Sequence, residues 1–264
     1  MRIAHISDIH FGRISADGIV DALVEEINDS DVDLVVASGD LTQRARRWQL
    51  RSAKKMLDSF SPPVVVVPGN HDAYAWWYPF HRLAVPVRRY RKYISDDLSP
   101  VVEMPDLALL GISSVHGWTI KSGLVRKRDR QHIEEFFKRD DTRFKILVVH
   151  HHLVGMPEFG RHDVSLFGRN AFSLISDAGV NLVLSGHLHR SHVEVFERAD
   201  AAPLVVASAG TATSDRGRPR VHYENHYNMI DVDKASFQIE ERRFVASIRQ
   251  YERERISTHP RNAS

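Results

Sequence analysis

The sequence predicts an α/β fold built around a parallel sheet, and three observations lead there. Short β-branched runs are almost continuously apolar, as strands covered on both faces must be. Helical apolar stripes separate these runs. Clusters of His, Asp and Asn follow the runs directly, at the strand ends where an open α/β sheet binds its ligands.

The first expected strand is 3–6, followed by a helix over 17–28 with the stripe Ile19, Val20, Leu23, Val24 and Ile27. A second strand at 34–37 leads to a helix over 48–60, striped by Leu50, Ala53, Met56 and Leu57. The run Val64-Val-Val-Val67 completes a βαβαβ unit, which implies parallel pairing and right-handed crossovers. Further on the pattern gives a strand at 107–112, a helix over 129–138, a strand at 144–149, a helix near 170–178 and a strand at 181–185. Four strands follow at 192–196, 204–208, 226–232 and 236–244, with Asp233-Lys234 as a hairpin turn. No repeat or low-complexity linker interrupts the chain, so 1–250 reads as one domain and 251–264 as a polar tail that frays.

Composition narrows the chemistry. A chain of 264 residues with 42% hydrophobic and 27% charged residues has the profile of a globular protein with a sizeable core. The net charge of +2 gives no overall electrostatic case for nucleic acid. With no cysteine, disulfides and thiolate metal ligands are excluded, and any metal must be held by His, Asp, Asn or Glu. The opening MRIAHISDIHFG lacks a signal-peptide pattern, and no apolar run approaches the ~18 residues that span a bilayer. A cytoplasmic protein is expected.

The polar clusters are Asp8-Ile9-His10, Gly39-Asp40, Gly69-Asn70-His71-Asp72, His150-His151-His152 and Gly186-His187-Leu188-His189. Each alone reads as a solvated loop, and GNHD alone as a turn. Five separate loops that all place such residues just past an apolar strand are not explained that way. Carboxylate, amide and imidazole without sulfur suit Mn²⁺, Fe²⁺ or Zn²⁺. The set is too large for one ion and suits two, which together form a clamp for displacement at phosphorus.

In order and spacing, SDIH, GDLT, GNHD, HHH and GHLH resemble the calcineurin-like metallophosphoesterase superfamily, over Asp8 to His189. That resemblance implies an α/β/β/α four-layer sandwich, two mixed sheets flanked by helices, with the late strands in the second sheet. It implies two divalent ions, Mn²⁺ and/or Fe²⁺ with Zn²⁺ as the alternative. Asp8, His10, Asp40 and His189 correspond to the ligands of the first ion, with Asp40 bridging. Asn70, His151 and His187 correspond to those of the second. His71 matches the family's catalytic histidine, and Asp72 then orients it or its loop. Attack on phosphorus by a metal-bridging hydroxide is the mechanism so implied. The family's fourth cluster is usually His-x-Pro. Taking Leu153 as the proline position selects His151, with His150 as the second choice, and leaves His152 as a loop residue or a partner of a ligand.

Within the superfamily the layout is most similar to bacterial class III cyclic-nucleotide phosphodiesterases, through GDLTQRA, the insert after GNHD and the GTATS…R segment. The resemblance therefore implies a phosphodiesterase acting on a small-molecule phosphodiester or nucleotide, cyclic nucleotides included. One alternative is a pyrophosphohydrolase cleaving UDP-2,3-diacylglucosamine in lipid A synthesis, and another is a non-catalytic metal-binding scaffold. Residues 73–94, AYAWWYPFHRLAVPVRRYRKYI, form a candidate cap dense in aromatics and arginines. They suit base and phosphate contacts, peripheral membrane contact, or ordinary packing of an insert. Arg13, Arg44 and His116 lie beyond strand-end clusters and are candidate substrate contacts, while His222 and His226 read equally as structural. The oligomeric state is left open.

Overall fold

The computed structural model describes residues 1–138, 142–159, 163–216 and 224–261. A βαβαβ unit opens the chain: β1 (Arg2–Ile6), α1 (Ile19–Asn28), β2 (Leu34–Ala37), α2 (Arg47–Leu57) and β3 (Val64–Val66). The insert forms two short helices, α3 (Pro79–Ala84) and α4 (Arg88–Tyr93). Then come β4 (Val101–Met104), β5 (Leu107–Ile112), α5 (Lys127–Phe137), β6 (Phe144–Val149), α6 (Gly168–Asp177) and β7 (Leu182–Ser185). The chain ends with β8 (His192–Phe196), β9 (Leu204–Ser208), β10 (His226–Val232), β11 (Ser236–Val245) and β12 (Gln250–Pro260).

These strands make two six-stranded mixed sheets, ordered β12-β11-β10-β1-β2-β3 and β4-β5-β6-β7-β9-β8. β1, β2 and β3 run parallel, as do β5, β6, β7 and β9. Period-two alternation then sorts side chains into layers. Ile3, Leu34, Val36, Leu107, Leu109, Ile146 and Val148 meet between the sheets. Their neighbours Ala4, Ile6, Val35 and Ala37 turn outward to the stripes of α1 and α2. On the other side Ala108, Leu110, Leu147 and Val149 turn to Ile133 and Phe137 of α5 and Ile175 of α6. The result is the four-layer α/β/β/α sandwich.

Two expectations change. The late strands do not all join the second sheet: β8 and β9 do, whereas β10, β11 and β12 extend the first. The reason is the free edge of β1, whose backbone groups need a partner. β10 supplies it in antiparallel register, Ile3 opposite Ile230. The polar stretch from Tyr251 does not fray but runs as the edge strand β12 as far as Pro260. Its anchors are sparse along the sequence. Tyr251 is buried and donates to Ala212 O at 2.7 Å, and His259 stacks on Phe237 at 5.3 Å between ring centres. Among the described residues no helix is long and apolar enough to cross a membrane.

Ile146→Ala, in the layer between the sheets, is expected to lower the unfolding free energy by about 2–5 kcal/mol in denaturant titration. Phe80→Ser, at a side chain 85% exposed on α3, should change it by less than about 0.5 kcal/mol.

Candidate metal centre

Parallel strands put their carboxyl ends on one edge, and there the loops after β1, β2, β3, β6 and β7 converge. Asp8 Oδ1 lies 3.0 Å from His189 Nε2 and 3.5 Å from His10 Nε2. The two imidazole nitrogens are themselves 3.1 Å apart. Asp40 Oδ2 lies 3.6 Å from His10 Nε2 and 3.5 Å from His150 Nε2. On its far side Asn70 Oδ1 sits 3.2 Å from His150 Nε2 and 3.1 Å from His187 Nδ1. Two groups of ligand atoms thus adjoin at Asp40: Asp8, His10, Asp40 and His189, and His150, His151 and His187.

The local backbone is unusual in a way that serves this convergence. Asp8, His10, Asp40, His187 and His189 all take left-handed φ, between 51° and 73°. Non-glycine residues adopt that region rarely, at a cost on the order of 1–3 kcal/mol each, and Asp and His tolerate it better than most. Each left-handed residue turns the chain sharply and swings its side chain inward. Thr211 and Thr213 donate to the carbonyls of Asp8 and Ile9, at 2.7 and 3.0 Å, which fastens the first loop. Asp72 accepts from the backbone N–H groups of Leu41, Thr42 and Gly69 and from the Thr42 hydroxyl, at 2.9–3.2 Å. It ties the second loop to the third. Gly69 must lack a side chain, because a Cβ there would press into Asp40.

Electrostatics favour cations. Asp8 Oδ1 and Asp40 Oδ2 are buried and accept no hydrogen bond. Burial would raise both carboxyls, yet the imidazoles beside them hold both well below the usual range. Burial lowers His150, but Asp40 overrides it and pushes the ring up to about 9. Burial takes His71 and His187 down to about 3. A buried set of unsatisfied carboxylate oxygens ringed by imidazoles, without sulfur, fits divalent cations, which would take the place of the proton that Asp40 holds on His150.

His71 stands next to this cluster, its backbone N–H donating to Asp40 Oδ1 at 2.7 Å. Its ring centre is 5.0 Å from that of His10. Nδ1 lies 2.8 Å from Gln43 O, and Arg44 Nη1 lies 2.9 Å from the same nitrogen. Arg216 Nη1 also reaches the ring, contacting both nitrogens. His71, Arg44 and Arg216 line a cavity of about 240 Å³ with Trp76, Ile120 and Lys121.

Residues 1–191 match the calcineurin-like phosphoesterase family. The chain belongs to that family. It is 25% identical over 164 residues to the 3′,5′-cyclic adenosine monophosphate phosphodiesterase CpdA of Haemophilus influenzae, covering 61% of this chain and 56% of that protein. It is 29% identical over 132 residues to the glycerophosphodiester phosphodiesterase GpdQ of Enterobacter lignolyticus, covering 45% and 47% respectively. The matches thus span about half the length of these relatives. In fold it is similar to the purple acid phosphatase PPD1 of yellow lupin, with a TM-score of 0.72 at 12% identity over 99% of this chain and 54% of that one.

The family match ends before Arg216, which sequence reading met only inside GTATS…R and gave no task. The expected substrate contacts separate. Arg44 reaches the cavity at His71, whereas Arg13 pairs with Asp215 at 2.8 Å. His116 is occupied with its own loop, near Ser122 O and Thr119 Oγ1 and accepting from Trp118 N–H. His152 Nε2 lies 3.2 Å from Ser185 Oγ. His226 pairs with Glu254 at 2.7 Å, and His222 lies outside the described residues.

Replacing Asp72 with Ala would leave the N–H groups of Leu41, Thr42 and Gly69 buried without an acceptor. Unfolding free energy should fall by at least about 1–3 kcal/mol in denaturant titration, with metal occupancy falling in parallel. An unchanged midpoint with full occupancy would show that the loops do not depend on this carboxylate.

Proposed function

We propose that the chain is a dimetal phosphodiesterase acting on small phosphate diesters, cyclic nucleotides among them. One observation carries the reading. Asp40 Oδ2, buried and accepting no hydrogen bond, lies between His10 of one ligand group and His150 of the other. A bare carboxylate oxygen in that position suits two cations that share it. Asp8, His10, Asp40 and His189 would hold one ion, and Asp40, Asn70, His150 and His187 the other. His150 takes the place that the His-x-Pro offset gave to His151. Its Nε2 faces Asn70 and Asp40, while Ser114 Oγ lies 2.7 Å from His151 Nδ1. Mn²⁺, Fe²⁺ and Zn²⁺ all fit this donor set.

Bound there, divalent ions would neutralise phosphoryl charge and lower the pKa of a water at neutral pH. The chain's own residues orient the substrate. Arg44 and Arg216, whose guanidinium groups converge on His71, are placed to hold phosphoryl oxygens. Gln43 O can only accept, so His71 keeps its proton at Nδ1, and its unprotonated Nε2 accepts from Arg216 Nη1. Burial keeps the ring neutral, so His71 serves the phosphate by holding the Arg216 guanidinium beside it. The insert 73–94 covers one wall of the cavity through Trp76 and Arg82.

A second reading has one observation in its favour. Trp76 is exposed and lines the cavity with Arg44 and Lys121, and Phe80 and Trp118, two residues in sequence from the lining residues Arg82 and Ile120, are exposed as well. Such a rim suits a membrane surface and a lipid-bearing pyrophosphate such as UDP-2,3-diacylglucosamine. The scaffold reading is disfavoured, since His71 and a full ligand set are present.

The test is a panel with Mn²⁺-loaded protein: bis-p-nitrophenyl phosphate, p-nitrophenyl phosphate, cyclic AMP and UDP-2,3-diacylglucosamine. Diester turnover that chelation abolishes is expected, and no turnover of any member by protein holding two ions would overturn the reading. His71→Ala should keep both ions and lose about 10²–10⁴-fold in kcat. By elemental analysis His150→Ala should lose an ion that His151→Ala retains, and the reverse result would restore His151 as the ligand. Because His71 titrates near 3, its protonation should produce no inflection in rate between pH 5 and 8. An inflection in that window that His71→Asn removes would show the ring charging during turnover.

A further inference from the structure

A cavity of about 740 Å³ lies away from the metal centre, between α4 and the start of α5. It shares no lining residue with the cavities at His71 and Asp40. Its volume is that of a site for a small organic ligand, a class spanning about 300–1,000 Å³. One wall is aliphatic, made by Val85, Val87, Leu98 and Val115. Among the described residues no Phe, Tyr or Trp ring lines it, and His132 is its one ring donor.

The other wall is cationic. Arg88, Arg91 and Lys92 on α4 face Arg126 and Arg128 at the start of α5. Two carboxylates answer these five cations. Asp96 pairs with Arg91 at 2.7 Å, and Asp129 lies 3.6 Å from both Arg126 and Arg128. Arg126 also donates to Val115 O at 2.8 Å, so it is fixed in the cavity floor. Arg88 and Lys92 have no ion-pair partner among the described residues. Like charges gathered beside an apolar wall repel one another, and an anion seated among them relieves that repulsion.

We propose that this cavity binds a small amphiphilic anion, one carboxylate or phosphate group on an aliphatic body. The anionic group meets Arg88 and Lys92, and the aliphatic body lies along Val85, Leu98 and Val115. The site has a defined relation to the catalytic cavity. Arg82 of α3 lines the cavity at His71, whereas Ala84 to Arg88, the next turn of the same insert, line this one. The ligand therefore bears on the same insert as the cavity at His71, at different residues.

Titration calorimetry of the Mn²⁺-loaded full chain with decanoate and decyl phosphate, below their micellar concentrations, tests the proposal. One equivalent of at least one probe should bind, and decanol should not. The tighter of the two identifies the anionic group. Arg88→Glu combined with Lys92→Glu should weaken binding by at least about tenfold, with bis-p-nitrophenyl phosphate hydrolysis unchanged. Val85→Trp, which fills the aliphatic wall from an exposed position, should weaken it to a similar extent. Phe80→Ser should leave binding intact, separating this cavity from the exposed aromatics of α3. Absence of binding by both probes would overturn the proposal. So would binding that survives the charge reversals, or competitive inhibition of diester hydrolysis that the reversals do not relieve.

Discussion

The site depends on one buried carboxylate, Asp40. Its Oδ1 accepts the backbone N–H of His71, which fixes the loop after β3 against the loop after β2. Its Oδ2 faces His10, on a loop of the first sheet, and His150, at the end of a strand of the second. A charge so placed, without water, is costly unless cations or donors surround it. Imidazoles from both sheets approach it, so the two sheets must end at one edge and at one height. The layer of Ile3, Leu34, Val36, Ile146 and Val148 sets that height. Each such side chain contributes about 1.5–3 kcal/mol by its burial.

Much of this was legible in the sequence because strand and helix periods differ. The stripe from Ile19 to Ile27 marks α1, and the unbroken Val64-Val-Val-Val67 marks a strand covered on both sides. The clusters were legible because each follows such a run. The HHH triplet also carried a signal in its alternation. Ile146 and Val148 face the other sheet, and His150 continues their parity toward Ser38, Asn70 and Asp40. His151 continues that of Leu147 and Val149, toward Ser114. Counting from Leu153 selects His151, whereas the pleat of β6, which does not depend on loop length, favours His150.

Other features left no comparable trace. The residues of β12 alternate weakly, since an edge strand with a solvated face buries little, and only Tyr251 and His259 anchor it. Arg216 lies far along the chain from His71, and an arginine in a polar loop reads as solvated surface. What brings it in is GTATS. Thr211 and Thr213 bond to carbonyls of the Asp8 loop that left-handed turns have freed from any ladder, and this carries the next residues to the metal edge. The backbone carbonyl of Arg216 then meets His189 Nδ1 while its side chain meets His71. The segment thus supports a candidate ligand and the catalytic candidate together.

The insert completes the division of labour between metal edge and specificity. Arg82 is buried and pushed below its ordinary pKa by that burial, and its guanidinium is spent on two carbonyls. Nη1 donates to Tyr74 O at 2.5 Å and Nη2 to Thr119 O at 2.6 Å. One arginine therefore pins α3 to the loop after β5 and positions Trp76 and Ile120 on the cavity wall. The same loop engages the ring nitrogens of His116, which explains why a histidine at the correct sheet edge does not line the cavity at His71. Loop ends supply the candidate ligands, while side chains of the insert line the cavity beside them. A change of side chain at Trp76 or Ile120 would alter that wall. The hydrogen bonds tie the two parts at one point: Arg82 anchors the insert to Thr119 O, and Asn70 Nδ2 donates to Ile120 O of the same loop at 3.2 Å.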